Sequence, residues 1–387
     1  MRKMTNKIVA FIEVLIPITQ CNLKCHYCYV IQRDNRTNSK PLLPEPVKIR
    51  GALRKERFGG EMYISLCGAG ETTMTPNLLE IVLELLKEGH FVNITTNGTI
   101  SRFFDAFKGY AEKYPELMKH LNFSFSLHYL EMIRTKSYEK FWRNIEMVKS
   151  GGASFVVQIN LCDEYEPYLD TIKKDCIEHV GAMPQVAATR DEISEKRHKE
   201  VTLYTEHTRE EYVKAGQVMD SPLFDYTMKN FMVKRKEFCY AGRLSYVLNL
   251  STGILKPCYC SFNYQNIYHD LSKPIKLYPV GHYCQSPFCM NSSHFMSFGV
   301  IPKLKDGPTY AGLRNRVTVD GKMWYQKEFE DMASQKICDN VNLKLTLDDR
   351  LHIHYFGMKS YIIKEISKIL PKKVVKNIKA KIRKKNE

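Results

Sequence analysis

The sequence predicts an α/β fold with a parallel sheet, because strand-like and helix-like segments alternate about six times between Ile8 and Thr189. The strand-like segments are short and rich in β-branched or aromatic residues, whereas the segments between them have apolar residues at helical spacing. Six such units are fewer than the eight of a closed barrel. The alternation fits an open, partial barrel as well as a doubly wound sheet.

The six strands and the helices between them follow from this spacing. Strands are predicted at residues 8–18, 62–66, 91–95, 122–127, 155–161 and 185–189. Helices are predicted at residues 47–57, 77–88, 101–119, 138–149 and 168–180. The helix at 77–88 ends at Gly89, since glycine readily adopts the left-handed conformation that closes a helix.

Polar or glycine-rich segments follow four of the predicted strands. They lie at residues 21–28, 67–73 and 96–98, and at the pair Ser126 and His128. In parallel α/β folds the carboxyl ends of the strands meet at one edge, and ligands bind there. We therefore expect these four segments to share one rim of the sheet.

The first of these segments contains three cysteines, Cys21, Cys25 and Cys28, in the pattern C-x3-C-x2-C. Three thiols on a short loop can converge on one metal centre. A [4Fe–4S] cluster held by three cysteines keeps one iron open to a substrate or cofactor. A structural zinc knuckle is the alternative interpretation of the cysteines alone.

The whole chain is basic, with a formal net charge of +16, but the charge is unevenly distributed. Residues 359–387 contain 11 Lys and Arg and 2 Glu, a surplus of nine positive charges. Apolar residues recur at helical spacing from Ser360 to Ile382, which predicts a basic amphipathic helix divided by Pro371. Such a tail is solvated, lies peripherally on an anionic membrane surface or binds RNA. No basic patch interleaved with aromatic residues indicates nucleic-acid binding.

Twelve cysteines indicate either disulfides in a secreted protein or metal ligands in a reducing compartment. Residues 1–18 are basic and then apolar, as in a signal peptide, but Glu13 and Pro17 interrupt the apolar run and Gln20 is too large for cleavage. No other stretch reaches the roughly 18 apolar residues of a membrane span. We expect a cytoplasmic protein with reduced, metal-binding thiols.

The C-x3-C-x2-C loop, with Tyr27 before its last cysteine, resembles the signature of the radical S-adenosylmethionine (SAM) superfamily. The turn with Gly68, Gly70 and Glu71 is similar to the family's Gly-Gly-Glu-Pro turn, although Thr72 replaces the proline. This resemblance implies a partial (β/α)6 barrel of the TIM type. It also implies a [4Fe–4S] cluster that binds SAM and cleaves it reductively. The resulting 5′-deoxyadenosyl radical would abstract hydrogen from a substrate.

The resemblance further implies which residues contact SAM. The turn and the Glu71 carboxylate would hold the methionyl amino group, and Arg190 would pair with the methionyl carboxylate. The predicted cofactor-binding residues are Tyr27, Gly68, Gly70, Glu71, Thr96, Asn97, Ser126, His128 and Arg190. The alternative is that the strand-end residues only satisfy backbone groups and that Arg190 is a surface residue. No catalytic residue is predicted.

A second group of cysteines follows residue 231. A strand at 244–250 and a turn at 251–253 predict a hairpin that brings Cys239 and Cys258 close together. This segment resembles the C-x(9–15)-G-x4-C opening of SPASM and twitch domains, and the resemblance implies an auxiliary [4Fe–4S] cluster. Cys284 and Cys289 would complete the ligand set, although their C-x4-C spacing departs from the usual C-x2-C.

Alternatives to this ligand set remain open. Cys260 adjoins Cys258 too closely for the expected hairpin, and His294 is a weaker replacement ligand. A structural zinc site with four thiolates is the alternative for the whole group. The scattered cysteines, which are Cys67, Cys162, Cys176 and Cys338, are expected to be buried free thiols.

These observations predict a radical SAM core at 8–195, a helical linker at 196–230, a small hairpin-based Fe–S domain at 231–299 and an extension with a basic helical tail at 300–387. The resemblance implies an enzyme, reduced by a donor such as flavodoxin or ferredoxin, that acts on a small molecule or peptide. With no peptide-recognition module before Ile8, a carbohydrate of a polysaccharide pathway is the first substrate hypothesis. A peptide-modifying maturase is the second. A non-catalytic zinc or iron–sulfur protein is the competing class.

Overall fold

The computed structural model describes residues 7–193, 201–259, 261–284, 286, 289 and 292–369. Its strands, numbered in chain order, are β1 Ile8–Ile16, β2 Glu61–Gly68, β3 Phe91–Thr96, β4 Leu121–Ser126, β5 Ser154–Leu161, β6 Gln185–Ala188, β7 Arg190–Asp191, β8 Thr202–Leu203, β9 Ser245–Asn249, β10 Ile254–Lys256 and β11 Gln265–Asn266.

The helices are numbered in the same way. They are α1 Tyr29–Gln32, α2 Pro46–Ala52, α3 Lys55–Phe58, α4 Leu78–Lys87, α5 Ser101–Lys113, α6 Pro115–Met118, α7 Tyr129–Arg134, α8 Tyr138–Ser150, α9 Leu169–Val180, α10 Arg209–Gln217, α11 Pro222–Asn230, α12 Ser292–Phe295, α13 Tyr310–Arg314, α14 Lys327–Ala333 and α15 Leu347–Ile369. Short 3₁₀ helices lie at Thr72–Met74, Asp163–Tyr168, Pro302–Leu304 and Ile337–Asp339. Among the described helices, none is long and apolar enough to cross a membrane.

The six predicted strands are present as β1 to β6, and each pairs in parallel with the next one along the chain. The order in the sheet is therefore the order in the sequence, without the reversal that marks a doubly wound sheet. This unreversed order is that of an open, partial barrel. The predicted α/β class is confirmed, and the pairing decides between the two architectures that periodicity left open.

The alternation of side chains in β4 shows how the sheet separates its core from its cavity. Phe123 and Phe125 point outward, with the ring of Phe123 5.3 Å from that of Phe107 in α5 and the ring of Phe125 5.8 Å from that of Phe141 in α8. Ser124, which lies between them, faces a cavity inside the barrel. Successive residues of a strand point to opposite faces, so one strand serves both surfaces.

The sheet continues beyond the barrel. β9 pairs in parallel with β1, aligning Ser245 with Phe11 and Asn249 with Leu15. β10 pairs antiparallel with β9 to form the predicted hairpin, and β11 pairs with β10. The hairpin that carries the second cysteine group is thus built onto the edge of the barrel sheet. The predicted domain boundaries remain a prediction.

Several helices differ from their predicted bounds. The helix expected at 101–119 is interrupted at Tyr114, whose φ of −133° is not helical. Pro115 causes this break, because its ring disfavours a helical conformation in the residue before it. The helix expected at 47–57 is also divided into α2 and α3. The helix α15 begins at Leu347, well before the predicted Ser360, and the part of the predicted tail from residue 370 onward lies outside the described residues.

Candidate active site

A cavity of about 410 Å³ lies at the carboxyl ends of the barrel strands. This volume is in the range of small-molecule binding sites. The cavity is lined by Cys21, Cys25, Cys28, Tyr27, Gly68, Gly70, Glu71, Thr96, Asn97, Ser126, His128 and Arg190. The structure thus brings together the first three cysteines and all of the predicted cofactor-binding residues. The four polar segments share one rim, as expected from their position after parallel strands.

The cysteine loop is held in place mainly through its backbone and its neighbours, and the Cys21 thiol accepts a hydrogen bond of 3.4 Å from the Leu23 N–H. Arg36 donates hydrogen bonds to the carbonyl of Leu23, at 2.6 Å, and to that of Cys21. The amide of Asn22 donates to Thr99 Oγ1 at 2.7 Å. Cys28 lies at the start of α1, where its carbonyl accepts the first helical hydrogen bonds. The loop is therefore fixed while the three thiols stay available to a ligand.

The three thiols are close enough to affect one another. Burial raises the pKa of Cys21 to about 11, and the Glu71 carboxylate adds to this effect. Burial also raises the pKa of Cys25, with further contributions from the neighbouring thiols of Cys21 and Cys28. Sulfur ligands gathered in this way suit an iron–sulfur cluster or a zinc ion, whose positive charge stabilises thiolates. The donor set therefore fits the cluster that the sequence predicts.

The glycine-rich turn after β2 packs directly against the start of the cysteine loop. The Gly70 N–H donates to the carbonyl of Ile18 at 2.6 Å, and the Glu71 N–H donates to that of Gln20 at 2.8 Å. A Cβ at Gly70 would lie 2.2 Å from the carbonyl oxygen of Gln20 and 2.7 Å from the carbonyl carbon of Thr19. Only glycine allows this approach. The turn thus extends the β1–β2 pairing past the strand ends and positions Cys21.

The Glu71 side chain is 3% exposed and is held by four hydrogen bonds. Its Oε1 accepts from the Thr73 N–H at 2.9 Å, from Thr73 Oγ1 at 2.5 Å and from Thr96 Oγ1 at 2.6 Å. Its Oε2 accepts from the Asn97 N–H at 2.8 Å. Burial raises the pKa of Glu71, and the hydrogen bonds oppose that rise. The carboxylate therefore joins two turns of the rim, and its predicted contact with a methionyl ammonium remains a prediction.

Asn97 connects the turn after β3 to the cysteine loop. Its Nδ2 donates to Asn22 Oδ1 at 2.9 Å and lies 3.8 Å from Cys21 Sγ. Its Oδ1 accepts from Thr99 Oγ1 at 2.8 Å. A side-chain amide directed at a sulfur stabilises the thiolate form. Asn97 is thus placed to orient the first cysteine.

The buried Tyr27 and the half-buried His128 form a pair beside the cysteine loop. The Tyr27 hydroxyl lies 2.7 Å from His128 Nδ1 and 3.0 Å from the Tyr165 hydroxyl. Burial lowers the pKa of His128 to about 4, so its ring is neutral near pH 7. Tyr165 belongs to the 3₁₀ helix after β5, and the sequence analysis did not identify it. A lone tyrosine among acidic residues carries no spacing signal that points to this contact.

Arg190 lines the cavity with its side chain 27% exposed, and it already has a partner. Its guanidinium lies 3.3 Å from the carboxylate of Glu192, which also pairs with Arg33. Gln32 reinforces this cluster, because its Nε2 donates to the Arg190 carbonyl at 3.2 Å and its Oε1 accepts from the Glu192 N–H at 2.7 Å. The arrangement ties α1 to the end of β6. The predicted pairing of Arg190 with a cofactor carboxylate remains a prediction.

The sequence analysis missed the polar floor of the cavity. This floor is lined by Glu13, Ser65, Asn93, Ser124, Gln158, Asn160, His294 and Arg314. Asn93 receives a hydrogen bond from Ser124 Oγ at 2.9 Å and donates to Ser65 Oγ at 3.0 Å. Polar residues alternating with apolar ones in β3 and β4 are a signal for such a floor. Arg314 carries no such signal, because it comes from α13 in a region to which the sequence assigned no chemistry.

Backbone pairing brings parts of the second cysteine group together. Cys239 and Gly281 exchange hydrogen bonds of 3.1 and 2.9 Å, and Cys284 follows Gly281 closely in the chain. Cys258 comes directly after β10 in the hairpin. Cys289 lines the same cavity as the first three cysteines. Whether these four thiols share one cluster remains a prediction.

Three of the four scattered cysteines agree with the prediction that they are buried free thiols. Cys162, Cys176 and Cys338 are buried and free, as expected. Cys67 differs, because it is only half-buried and lines the cavity.

The two further candidates for the second site occupy different places. The ring of His294 stacks on that of Phe11 at 5.3 Å, on the barrel side of the cavity. Cys260 lies outside the described residues.

Comparisons with known proteins agree with this geometry. Residues 15–167 match the family model of the Radical SAM superfamily. No curated protein sequence matches the chain. A solved structure of native anSMEcpe with bound AdoMet is similar at 16% identity and a TM-score of 0.48, over 67% of this chain and 79% of that one. SuiB of Streptococcus suis bound to S-adenosylmethionine is similar at 15% identity and a TM-score of 0.44, over 68% of this chain and 65% of that one, just under two thirds of its length. Residues 15–167, which include the three-cysteine loop, are therefore similar to the Radical SAM superfamily.

Proposed function

We propose that this protein is a radical SAM enzyme that holds a [4Fe–4S] cluster at Cys21, Cys25 and Cys28. The observation that carries the proposal is that these cysteines and all of the predicted SAM-contacting residues line one cavity, and that all of them except Arg190 lie within the matched residues 15–167. When bound, the cluster and SAM supply a one-electron cleavage that produces 5′-deoxyadenosine after hydrogen abstraction from a substrate. A flavodoxin or ferredoxin would supply the electron.

The protein's own residues orient the cofactors. Gly70 and Glu71 set the distance between the glycine-rich turn and the cysteine loop, through contacts with Gln20 and Asn97. Backbone groups of that turn border the cavity, where they can hold the polar end of SAM. The neutral ring of His128 also lines the cavity. A preorganised site of this kind binds without rearranging its polar groups.

The second part of the proposal is an auxiliary [4Fe–4S] cluster at Cys239, Cys258, Cys284 and Cys289. Two observations support it. The Cys239–Gly281 pairing and the β9–β10 hairpin gather three of the cysteine-bearing segments, and Cys289 reaches the cavity wall.

The polar floor of the cavity indicates the kind of substrate. The side chains of Asn93, Gln158 and Asn160 offer amide donors and acceptors, which pair with hydroxyl or amide groups. A carbohydrate is the first candidate and a peptide the second. Deuterium transfer into 5′-deoxyadenosine from a labelled candidate substrate distinguishes them.

The proposal is tested with anaerobically purified protein. We expect iron and sulfide sufficient for two clusters, and release of 5′-deoxyadenosine from SAM after reduction with dithionite. Cys25→Ala should abolish this release and leave iron for the auxiliary cluster only, whereas Cys176→Ala, which removes a buried thiol outside the site, should retain both. Zinc in place of iron, with no SAM cleavage, would show a structural metal protein instead.

A further inference from the structure

The helix α15 carries a continuous apolar stripe on its outer face. The stripe consists of Leu347, Leu351, Tyr355, Met358 and Ile362, whose side chains are from 40% to 74% exposed. They recur every three or four positions, so they lie on one side of the helix. At 1.5 Å per residue the stripe is roughly 22 Å long. Single exposed apolar residues are ordinary on a protein surface, but a contiguous stripe marks an interaction surface.

The opposite face of α15 is packed against the protein, which fixes the direction of the stripe. Ile353 is 6% exposed, and a Cβ at Gly357 would lie 2.2 Å from the ring of Tyr283. The ring of His352 stacks on that of Tyr278 at 4.2 Å. The helix is therefore attached by one face and presents the stripe outward.

The charges around the helix indicate what covers the stripe. Residues 370–387, which come directly after α15 and lie outside the described residues, contain eight Lys and Arg and one Glu. Near the start of the helix, Asp348 forms an ion pair with Lys276 at 3.2 Å. The Asp349 carboxylate accepts a hydrogen bond of 2.8 Å from the Thr346 N–H, so both of these acids already have partners. An apolar stripe followed by a strongly cationic segment suits a surface that is apolar inside and anionic outside.

We propose that α15 and the basic segment after it bind an anionic lipid bilayer, with the helix lying in the plane of the interface. The stripe would enter the boundary between head groups and acyl chains, with Tyr355 at the depth where tyrosine is favoured. The cations would bind anionic head groups. Either signal alone gives weak attachment, whereas the two together give stable peripheral binding. The proposal is independent of the SAM chemistry.

The test uses the full chain and sedimentation with two kinds of vesicle. One kind is pure phosphatidylcholine, and the other contains one third phosphatidylglycerol. We expect the protein to sediment with the anionic vesicles and much less with the neutral ones. Raising the salt from 0.1 to 1 M should weaken binding, because the screening length falls from about 10 to about 3 Å.

The stripe itself is tested with the variant Leu351→Gln, Tyr355→Gln, Met358→Gln, which exchanges apolar side chains for one that helices tolerate. We expect partitioning onto anionic vesicles to fall by roughly 10- to 100-fold, because the burial of three apolar side chains is lost. The matched control is Leu42→Gln, Val319→Gln, which changes two residues that are 89% and 79% exposed elsewhere on the surface. The control should bind as the unaltered protein does, and circular dichroism should show both variants folded.

Three results would overturn the proposal. Unchanged vesicle binding in the stripe variant would assign all binding to the basic segment. A concentration-dependent dimer that the stripe variant abolishes, without vesicle binding, would make the stripe a contact between two copies. Binding to RNA in place of vesicles would assign the basic segment to nucleic acid.

Discussion

Glu71 accepts a hydrogen bond of 2.8 Å from the backbone N–H of Asn97, which joins the turn after β2 to the turn after β3. The same carboxylate accepts from Thr96 Oγ1 at 2.6 Å. Asn97 in turn donates to Asn22 in the cysteine loop. A buried acid thus connects three segments of the rim. Replacing Glu71 should therefore lower both the stability of the protein and its binding of the cofactor.

We expect Glu71→Gln to destabilise the protein by about 1–3 kcal/mol. The amide that replaces one carboxylate oxygen donates and does not accept, so at least one buried donor loses its partner. The free energy of unfolding from urea titration measures the effect. Glu112→Gln, at an exposed position of α5, should change it by less than about 0.5 kcal/mol. Equal effects of the two changes would contradict a structural role for Glu71.

Gly70→Ala should displace the start of the cysteine loop, because the added Cβ would meet the backbone oxygen of Gln20 at 2.2 Å. We expect the iron bound at the first site and SAM cleavage to fall at least 10-fold, which iron analysis and 5′-deoxyadenosine release will measure.

Gly109→Ala is the matched control for Gly70→Ala. It adds a Cβ in α5 with nothing within 4 Å. This change should stabilise the helix by roughly 0.5–1 kcal/mol and preserve the iron content. Full iron content and full SAM cleavage in Gly70→Ala would show that the loop tolerates the shift.

Tyr27→Phe should lower stability by about 1–3 kcal/mol, because His128 and Tyr165 would lose the hydroxyl they contact in a buried environment. The melting temperature and the rate of SAM cleavage are the two measurements. Tyr110→Phe removes a hydroxyl that bonds to Glu80 in an exposed position, and it should have little effect. If both variants melted alike, the Tyr27 contacts would contribute nothing measurable.

Acid should destabilise the protein through His90, which is fully buried between α2 and β2. Its Nδ1 accepts from the Met62 N–H at 3.2 Å and its Nε2 donates to the Leu53 carbonyl at 2.8 Å. Burial lowers the pKa of His90 from 6.5 to about 4. The unfolded chain therefore binds a proton first, and stability falls as the pH drops from 6.5 to 4, by about 3 kcal/mol in all.

The His90 prediction is measured by urea unfolding at several pH values. His90→Gln should reduce the slope between pH 6.5 and 4 without abolishing it, because burial lowers the pKa of His128 to about 4 as well. His179→Gln, at an exposed position, should leave the slope in place. An unchanged slope in His90→Gln would assign the acid sensitivity to other groups.

Local patterns in the sequence were sufficient for most of the barrel. The predicted strand at 155–161 is β5 Ser154–Leu161, and the predicted helix at 77–88 is α4 Leu78–Lys87. Both rest on short-range periodicity and on glycine at the ends. The cysteine loop and the polar strand ends were found for the same reason, since parallel strands deliver their carboxyl ends to one edge.

The contacts that the sequence did not predict are all between distant parts of the chain. Tyr165 reaches Tyr27 across the barrel mouth, and Arg314 reaches the cavity floor from α13. Neither residue stands in a pattern that specifies its neighbours. The early start of α15 at Leu347 is a different omission, because Leu347, Leu351 and Tyr355 do recur at helical spacing and the sequence analysis did not use them.

The sequence by itself determined the alternation of strands and helices, the three-cysteine loop and the hairpin between Cys239 and Cys258, because each depends on residues near one another in the chain. Only the tertiary structure decided that the strand order is that of an open barrel, and that β9 pairs with β1 and extends the barrel sheet. The physical reason is that strand pairing joins backbone groups whose separation along the chain leaves no trace in local periodicity.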